Sequence, residues 1–523
     1  MITRRTFLGG ASALALSNRL FAAEPLSAKP SADLEKLGAV ALAEAKRLKA
    51  TYCDIRIVRV RGQSVNVRIS PARGTGKSQA VPSAVESGSF GFGVRVIANG
   101  AWGFASSPFV NNAEIVRITG EAVAVAKANS VLQVKPVELA PVPAYRTRWV
   151  TPHEKDPFTV PLAEKLELVR AAANEVKKSD RVFSSSAVIR FRSEDKYFAS
   201  TEGSSIQQLC LQGGGTVSAN AIDSAKGLSK TRRYQAPPST AGYEIVPVMN
   251  FQENAYRVRE EVLEHLAAPQ VTPGKKDLVL LPTHLWLTIH ESLGHSTELD
   301  RALGFEANYA GTSFLTTDKL GKQRVGSDLI NIWGDRTNDR GLATVGYDDD
   351  GVKTTKFPIL EKGIFTHYQT IRDQAHLIGE KVSRGCCYAD SWASVPFQRM
   401  PNVWLEPGPR ETTLESLIEG VEDGILIDGD GSFSIDQQRY NFQFGGDAFW
   451  EIKGGRKRGM ISSVAYQAKT TDFWTSCDGI AGPAYFQQYG ALNDGKGEPP
   501  QSNAVSHGCS PSRFRQVNVI QTD

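Results

Sequence analysis

The sequence lacks an excess of charge of either sign. Its 523 residues carry a formal net charge of +4, and three of the positive charges precede the first acidic residue, Glu24. The remainder of the chain is therefore nearly neutral, whereas a nucleic-acid-binding surface needs clustered lysine and arginine. The composition argues against a nucleic-acid partner.

Cysteine is also scarce. Six cysteines are spread over the chain, and no two of them form a Cys-x-x-Cys pair. Small secreted domains that depend on disulfides have a far higher cysteine density, so a disulfide scaffold is excluded. We expect most of these thiols to be buried in the core.

Long hydrophobic runs are missing after the N-terminus. The apolar stretch 7–16 is too short for a permanent membrane anchor, follows Arg4 and Arg5, and precedes small residues at 22–23. This layout predicts that residues 1–23 are a signal peptide, and the segment 3–8 resembles a twin-arginine export signal. We expect a periplasmic or otherwise exported protein that has no membrane contact once the signal is removed.

The rest of the chain has the organisation of an α+β protein. Residues 24–134 and 135–245 each combine helical spacing with alternating strands, and a Pro-rich connector joins them. From 246 to 523 an amphipathic segment comes first, and short strands with Gly and Asp turns then dominate. The sequence predicts N-terminal α/β domains followed by a β-rich C-terminal domain that carries the metal-binding helix described below.

Within the first unit, two strands are predicted, at 54–60 and 64–70. The stretch 71–88 is rich in Gly, Ser and Pro, a composition typical of loops. A further alternating strand is predicted at 90–97.

One motif in the C-terminal region carries recognisable chemistry. His290-Glu291-Ser292-Leu293-Gly294-His295 lies on a predicted helix that follows an apolar strand. Neutral imidazole is a good zinc ligand, and a neighbouring carboxylate can take a proton from zinc-activated water. The residue types therefore indicate a metal site with Glu291 as its base.

The spacing of the two histidines leaves two interpretations open. Histidines four residues apart share one face of an α-helix, but His290 and His295 are five apart and would diverge by roughly 140°. A π-bulge or local unwinding would bring them together, and Gly294 makes such a distortion easier. Otherwise they are two unrelated histidines beside a chance glutamate.

The motif, taken with an ordered set of further segments, resembles the TldD/PmbA family of metallopeptidases. Gly93-Val94-Arg95-Val96 and 102–105 resemble its N-terminal domain, and its C-terminal domain is represented by 347–351, 361–364 and Arg399-Met400-Pro401-Asn402. The resemblance implies an N-terminal α/β part and a β-rich C-terminal part that binds one zinc ion. It also implies His290 and His295 as ligands and Glu291 as general base, and Glu298 and Asp300 match acids of the family. These two acids are either surface charges of the helix or groups that orient a ligand histidine.

The third ligand departs from the family pattern. The family has a cysteine in a Cys-Gly-Lys segment, and Asp494 precedes Gly495-Lys496 at the matching place. A carboxylate can bind zinc, although it is harder than a thiolate and could shift the metal preference. Cys509 is the alternative ligand, with His507 as a further one, and a site with no third protein ligand also stays open.

The resemblance implies a zinc-dependent peptidase that hydrolyses unfolded or extended peptides. It implies a homo-oligomer, or a hetero-oligomer with a second family member. Two rival hypotheses stay open. The first is an inactive family member that only binds peptides or a partner, since Asp494 could signal decay of the site. The second is a β-rich carbohydrate- or solute-binding protein, which fits the export signal but leaves the histidine motif unexplained.

Overall fold

The computed structural model describes residues 29–72 and 76–522. The predicted export signal at 1–23 lies outside the described residues. The described chain is a mixed α+β structure with a β-rich C-terminal part, so the predicted fold class is confirmed. Among the described residues, no helix has the length and apolar character needed to cross a membrane.

The N-terminal half is built on one large sheet. Its strands lie in the order β3-β2-β1-β5-β6-β4, with β7 paired to β6. All pairs are antiparallel except β4 with β6. The elements are α1 (Ala32–Arg47), β1 (Tyr52–Pro71), β2 (Ser78–Ala98), β3 (Ala101–Ser107), α2 (Asn112–Asn129), β4 (Arg146–Val150), α3 (Leu162–Val176), β5 (Val182–Ser200), β6 (Ser205–Asp223), β7 (Leu228–Ser239), α4 (Ile245–Val248) and α5 (Phe251–Ala267).

Two helix pairs cover different stretches of these long strands. Helices α1 and α2 cover one end of the sheet, where α1 packs on β1 and α2 packs on β2 and β3. Helices α3 and α5 cover the sheet further along, where α3 packs on β1 and β5 and α5 packs on β6 and β7. Because β1 pairs with β5 over most of its length, the two predicted N-terminal units share a single sheet.

The predicted loop at 71–88 is wrong for most of its length. Strands β1 and β2 form a continuous antiparallel ribbon, in which Pro71 faces Ser78 and Tyr52 faces Ile97. The part of β2 from Ser78 to Ser89 is exposed. Exposed strands show no alternation of apolar and polar residues, since neither face is buried, and backbone pairing alone leaves no signal in the sequence.

The C-terminal half contains a sheet that closes on itself. Strands β15, β8, β22, β18 and β16 follow one another, and β16 pairs back to β15. The strands are β8 (Gly274–Leu280), β9 (Ile332–Asp335), β10 (Lys356–Glu361), β11 (Ile364–Phe365), β12 (Cys387–Tyr388), β13 (Phe397–Gln398), β14 (Asn402–Leu405), β15 (Asp423–Ile435), β16 (Asn441–Lys453), β17 (Arg456–Ile461), β18 (Val464–Lys469), β19 (Cys477–Ile480), β20 (Gln487–Lys496), β21 (Gln501–Cys509) and β22 (Ser512–Gln521).

The described residues of this half also form four short α-helices, namely α6 (Pro282–Ile289), α7 (Leu299–Ala302), α8 (Leu414–Glu419) and α9 (Thr470–Thr475). Helix α5, although it lies beyond residue 246, packs with α3 and belongs to the core of the N-terminal sheet. Helix α6 instead lies in the largest core cluster, where Leu285 and Ile289 are fully buried. It contacts the β20–β21 hairpin, and this contact brings the histidine motif and the C-terminal segment together.

Candidate metal centre

The turn that follows α6 is a π-helical turn. It spans His290–Gly294, and the backbone N–H of His295 donates to the carbonyl of His290 five residues earlier. One π turn accommodates this five-residue spacing, so the two imidazoles lie on the same side, with ring centroids 4.5 Å apart. Of the alternatives that the five-residue spacing leaves open, the structure has the π turn.

Gly294 contributes through packing rather than through backbone freedom. Its φ of −57° is ordinary helical geometry. A Cβ atom at this position would lie 2.6 Å from the sulfur of Met400, which is fully buried. Glycine therefore lets the π turn approach the segment that carries Arg399 and Met400.

The orientation of His290 is set by a second histidine. Nδ1 of His507 lies 3.0 Å from the Val403 carbonyl oxygen, which can only accept, and burial holds the pKa of His507 well below its usual range. His507 is therefore neutral, with its proton on Nδ1, and its Nε2 accepts from His290 Nδ1 at 2.8 Å. The other nitrogen of His290, Nε2, faces Asp494 Oδ1 at 3.3 Å.

His295 is oriented in the same way by a carboxylate. Its Nδ1 lies 2.9 Å from Glu298 Oε2, and its Nε2 lies 3.8 Å from Asp494 Oδ1. Burial, followed by the charge of Arg301, lowers the pKa of His295 well below its usual range. The ring is therefore neutral, and its Nε2 lone pair points towards Asp494.

Asp494 comes from a bulged hairpin. In the β20–β21 pair, Ala491 faces Val505 and Asp494 faces Asn503, so one extra residue lies on β20 between them. Oδ2 of Asp494 accepts from Arg399 at 3.0 Å, which leaves Oδ1 for the histidines. Burial alone would raise the pKa of Asp494, but the neighbouring His290 outweighs it and holds the pKa well below the usual range.

These three side chains have the donor set of a metal site. His290, His295 and Asp494 each offer one ligand atom, and these atoms lie within 4.8 Å of one another. Two imidazole nitrogens and one carboxylate oxygen are typical of catalytic zinc sites, which keep a fourth position open. Although burial lowers the pKa of His290, the Asp494 carboxylate more than offsets this and raises it, so the site favours a positive charge at this point.

Cys509 does not reach this group. It lies at the far end of β21, opposite Gln487, and is fully buried in the hydrophobic core. Six residues separate it from Asn503, the partner of Asp494, which amounts to about 20 Å along a strand. Burial raises the pKa of its thiol far above the usual range, as expected for an inert core cysteine.

Glu291 points to a different partner. Its carboxylate accepts a hydrogen bond from Nη1 of Arg439, and both side chains are largely buried. Arg439 lies in the turn between β15 and β16, far from Glu291 in sequence. The predicted base is therefore ion-paired in this structure.

Three family models match the chain. They are described as PmbA/TldA metallopeptidase domain 1, central domain and C-terminal domain, and they match residues 53–126, 155–266 and 273–521. The chain belongs to the PmbA/TldD family of metallopeptidases. The resemblance predicted from the motifs is confirmed.

Named relatives agree with the family. A protein of Methanothermobacter thermautotrophicus, described as a metalloprotease, is 26% identical over 86% of this chain and 91% of its own. A "Zinc metalloprotease TldD homolog" of Saccharolobus solfataricus is 23% identical over 73% and 78%. A solved structure from Thermotoga maritima, described as that of a proposed modulator of a DNA gyrase, has a TM-score of 0.71 and 16% identity over 93% of this chain and 100% of its own. The names of the relatives suggest a peptidase, and the solved structure shows the fold.

The two family acids occupy different places behind the site. Glu298 is fully buried, contacts His295, and also accepts from Arg301 Nε at 2.5 Å. Asp300 does not contact a histidine and instead lies 2.8 Å from Lys496 Nζ. Lys496 is itself 3.2 Å from Glu298, so it joins the two acids to the hairpin that carries Asp494.

Several residues of this PmbA/TldD site escaped the sequence-based prediction. The sequence indicates Arg399 only as part of a family segment, Lys496 only as a neighbour of Asp494, and His507 only as an alternative ligand. Arg439 gave no signal at all, since it comes from a turn between two strands. Each of them acts across more than 90 residues of sequence, which local spacing does not reveal.

His507→Phe is expected to weaken zinc binding by about 10–100-fold, the usual cost of losing a partner that orients a ligand. Phenylalanine keeps a ring that can stack on Trp286, as His507 does with centroids 6.1 Å apart, but it cannot accept from His290. Competition with a chromophoric chelator measures the affinity.

His265→Phe is the matched control, since His265 is buried, packs on Phe449 and has no hydrogen-bond partner for either ring nitrogen in the described chain. It should bind zinc as the wild type does. Equal zinc affinity in folded His507→Phe protein would show that His507 does not orient the ligand.

Proposed function

We propose that this chain is a zinc-dependent peptidase that hydrolyses unfolded or extended peptides. The observation that carries the proposal is the convergence of His290 Nε2, His295 Nε2 and Asp494 Oδ1, with Glu291 next to the first ligand. In this proposal the three side chains hold one zinc ion. Glu298 and His507 keep the ligand rings in the tautomer that exposes Nε2.

When bound, zinc acts as a Lewis acid, which lowers the pKa of water and polarises a peptide carbonyl. Within the chain, Glu291 acts as the general base. Its carboxylate takes a proton from the attacking water, while the water oxygen bonds to the carbonyl carbon. The C–N bond then breaks, and Glu291 delivers the proton to the leaving amine nitrogen, so the base is restored.

The burial of the site favours extended substrates. The side chains of His290, His295, Glu291 and Asp494 are all buried, with exposures of 8% or less. A folded protein surface cannot bring a peptide bond to such a depth, whereas a single extended chain is narrow enough. Peptides are also the substrate class that the family suggests.

The test is metal analysis together with digestion of a mixture of unfolded peptides. We expect about one zinc ion per chain, cleavage that a chelator abolishes, and recovery when zinc is restored. Zinc binding without cleavage of any peptide would favour the inactive, peptide-binding family member. A chain that neither binds zinc nor cleaves would contradict the proposal.

We also propose that the protein is exported through the twin-arginine route, on the basis of Arg4 and Arg5 before the apolar stretch 7–16. Replacing both arginines by lysine is expected to leave the precursor in the cytoplasm, because the pathway depends on the paired guanidinium groups. Cell fractionation measures this. Normal export of the double-lysine variant would show that the protein does not use the twin-arginine route.

Assembly with a second family member or with another copy of this chain is a further proposal, and it rests on the family resemblance alone. If the chain assembles with copies of itself, light scattering on the mature protein should give a mass of at least two chains. A monomer that forms no complex with a second family member would contradict it.

A further inference from the structure

Arg439 lies in a turn that holds it in an unfavourable backbone conformation. Its φ is +64°, in the left-handed region that is strained for a residue with a side chain. Asp436 stabilises the turn, since its carboxylate accepts from the backbone N–H groups of Gln438, Tyr440 and Asn441. The Thr470 hydroxyl donates to the Arg439 carbonyl at 2.7 Å. The fold therefore fixes this arginine firmly despite the strain.

The N–H groups of the Arg439 side chain do not all have a hydrogen-bond acceptor among the described residues. Nη1 donates to Glu291, but its buried Nε has no hydrogen-bond acceptor among the described residues. Arg259 provides a comparison, because its side chain is also 12% exposed and is paired with Glu175. Its Nε donates to Glu260 at 2.8 Å. A buried donor without an acceptor is costly in a purely structural ion pair.

The position of Arg439 also matters for the reaction. A general base lies within about 3 Å of the proton that it takes from water. That water attacks the carbonyl carbon, so the carbonyl oxygen must come within a few ångströms of Glu291. A guanidinium hydrogen-bonded to Glu291 lies in reach of that oxygen, and its planar fork can serve two acceptors together.

We propose that Arg439 is a catalytic residue that donates a hydrogen bond to the oxygen of the scissile carbonyl. As water adds to the carbonyl carbon, the electron pair of the C=O π bond moves to this oxygen. Fixed donors aimed at developing charge lower the barrier because they need no reorganisation during the reaction. Arg439 would act in this way and retain its bond to Glu291. This inference rests on the proposed peptidase function.

The test compares Arg439→Met, Arg439→Lys and the control Arg259→Met, all loaded with zinc. Removing one donor of this kind typically costs about 100–1,000-fold in kcat. We expect Arg439→Met to lose at least about 100-fold in kcat, with KM and zinc content changed by less than about threefold. Arg439→Lys keeps the charge and should recover part of the rate. Arg259→Met should be as active as the wild type.

A second measurement does not depend on turnover. A phosphinic peptide carries charged oxygens where the carbonyl oxygen would stand, whereas a ketomethylene peptide with the same side chains carries an uncharged oxygen and has no amide bond to cleave. We expect Arg439→Met to weaken binding of the phosphinic peptide about 100-fold, and binding of the ketomethylene peptide only a few-fold. Thermal unfolding checks that each variant is folded.

The outcomes separate this inference from the proposed function. A wild type that cleaves peptides, together with Arg439→Met that cleaves at the same rate, overturns the role of Arg439 alone. Equal loss of affinity for the phosphinic and ketomethylene peptides also overturns it, because the arginine then only shapes the site. A zinc-loaded wild type that neither cleaves peptides nor binds the phosphinic peptide overturns both proposals.

Discussion

Glu291→Gln is expected to retain zinc and to lose at least about two orders of magnitude in the rate of peptide hydrolysis, the usual scale for a positioned base. Glutamine has the size of glutamate and keeps an oxygen that can accept from Arg439, but it cannot take a proton at neutral pH. The measurement is kcat on a peptide that the wild type cleaves, with zinc content determined on the same sample.

The control is Glu175→Gln. Glu175 is buried to the same degree as Glu291 and is likewise paired with an arginine, Arg259, but it lies on helix α3, beside α5, in the N-terminal half. Loss of charge there should leave kcat unchanged. If Glu291→Gln hydrolyses peptides as fast as the wild type, Glu291 has no part in the mechanism. If it instead loses its zinc, its role is to stabilise the ligand turn.

Much of the site is predictable from the sequence because three of its residues lie close together in the chain. His290, Glu291 and His295 lie within six residues, and the chemistry of imidazole and carboxylate is the same in any fold. The five-residue spacing showed that a shared metal would need a distorted helix, and the structure has a π turn there. Asp494 came only from the family resemblance, since nothing near it in sequence indicates a metal.

The remainder of the site depends on contacts that a single sequence does not encode locally. The sequence suggests His507 as an alternative ligand. In the structure it lies behind His290 and orients the His290 ring. Arg399 and Arg439 approach from a loop and a hairpin turn, and arginines in such places are usually solvent-exposed. Their importance becomes visible only when the strands that carry them are placed in space.

Some elements of the fold are likewise predictable from the sequence, and others are not. Segments that are buried on one face, such as α5, show the periodicity that predicts them. The outer half of β2, from Ser78 to Ser89, is exposed and has the composition of a loop. The shared N-terminal sheet was missed for a related reason, because pairing of β1 with β5 joins residues that are more than 100 positions apart.

Asp494→Ala is expected to reduce zinc affinity by more than the roughly 10–100-fold that follows from loss of an orienting partner, because it removes a ligand itself. Asp494→Asn tests the same point without a change of size. It can keep the hydrogen bond from Arg399 but loses the charge that faces His290 and His295. Cys509→Ser is the control, and it should bind zinc nearly as the wild type does. Chelator competition measures all three affinities.

Asp494→Cys is the informative gain of function, since it restores the residue of the family pattern. A thiolate is softer than a carboxylate and binds zinc at about 2.3 Å instead of 2.0–2.2 Å. We expect the preference for zinc over manganese to rise, while Arg399 keeps its bond of 2.5 Å to the backbone carbonyl of residue 494. If Cys509→Ser alone releases the metal, the ligand assignment is wrong and the thiol at 509 must move to the site. If none of the variants at 494 changes the affinity, the histidines bind zinc without a third protein ligand, and Asp494 serves only to balance their charge.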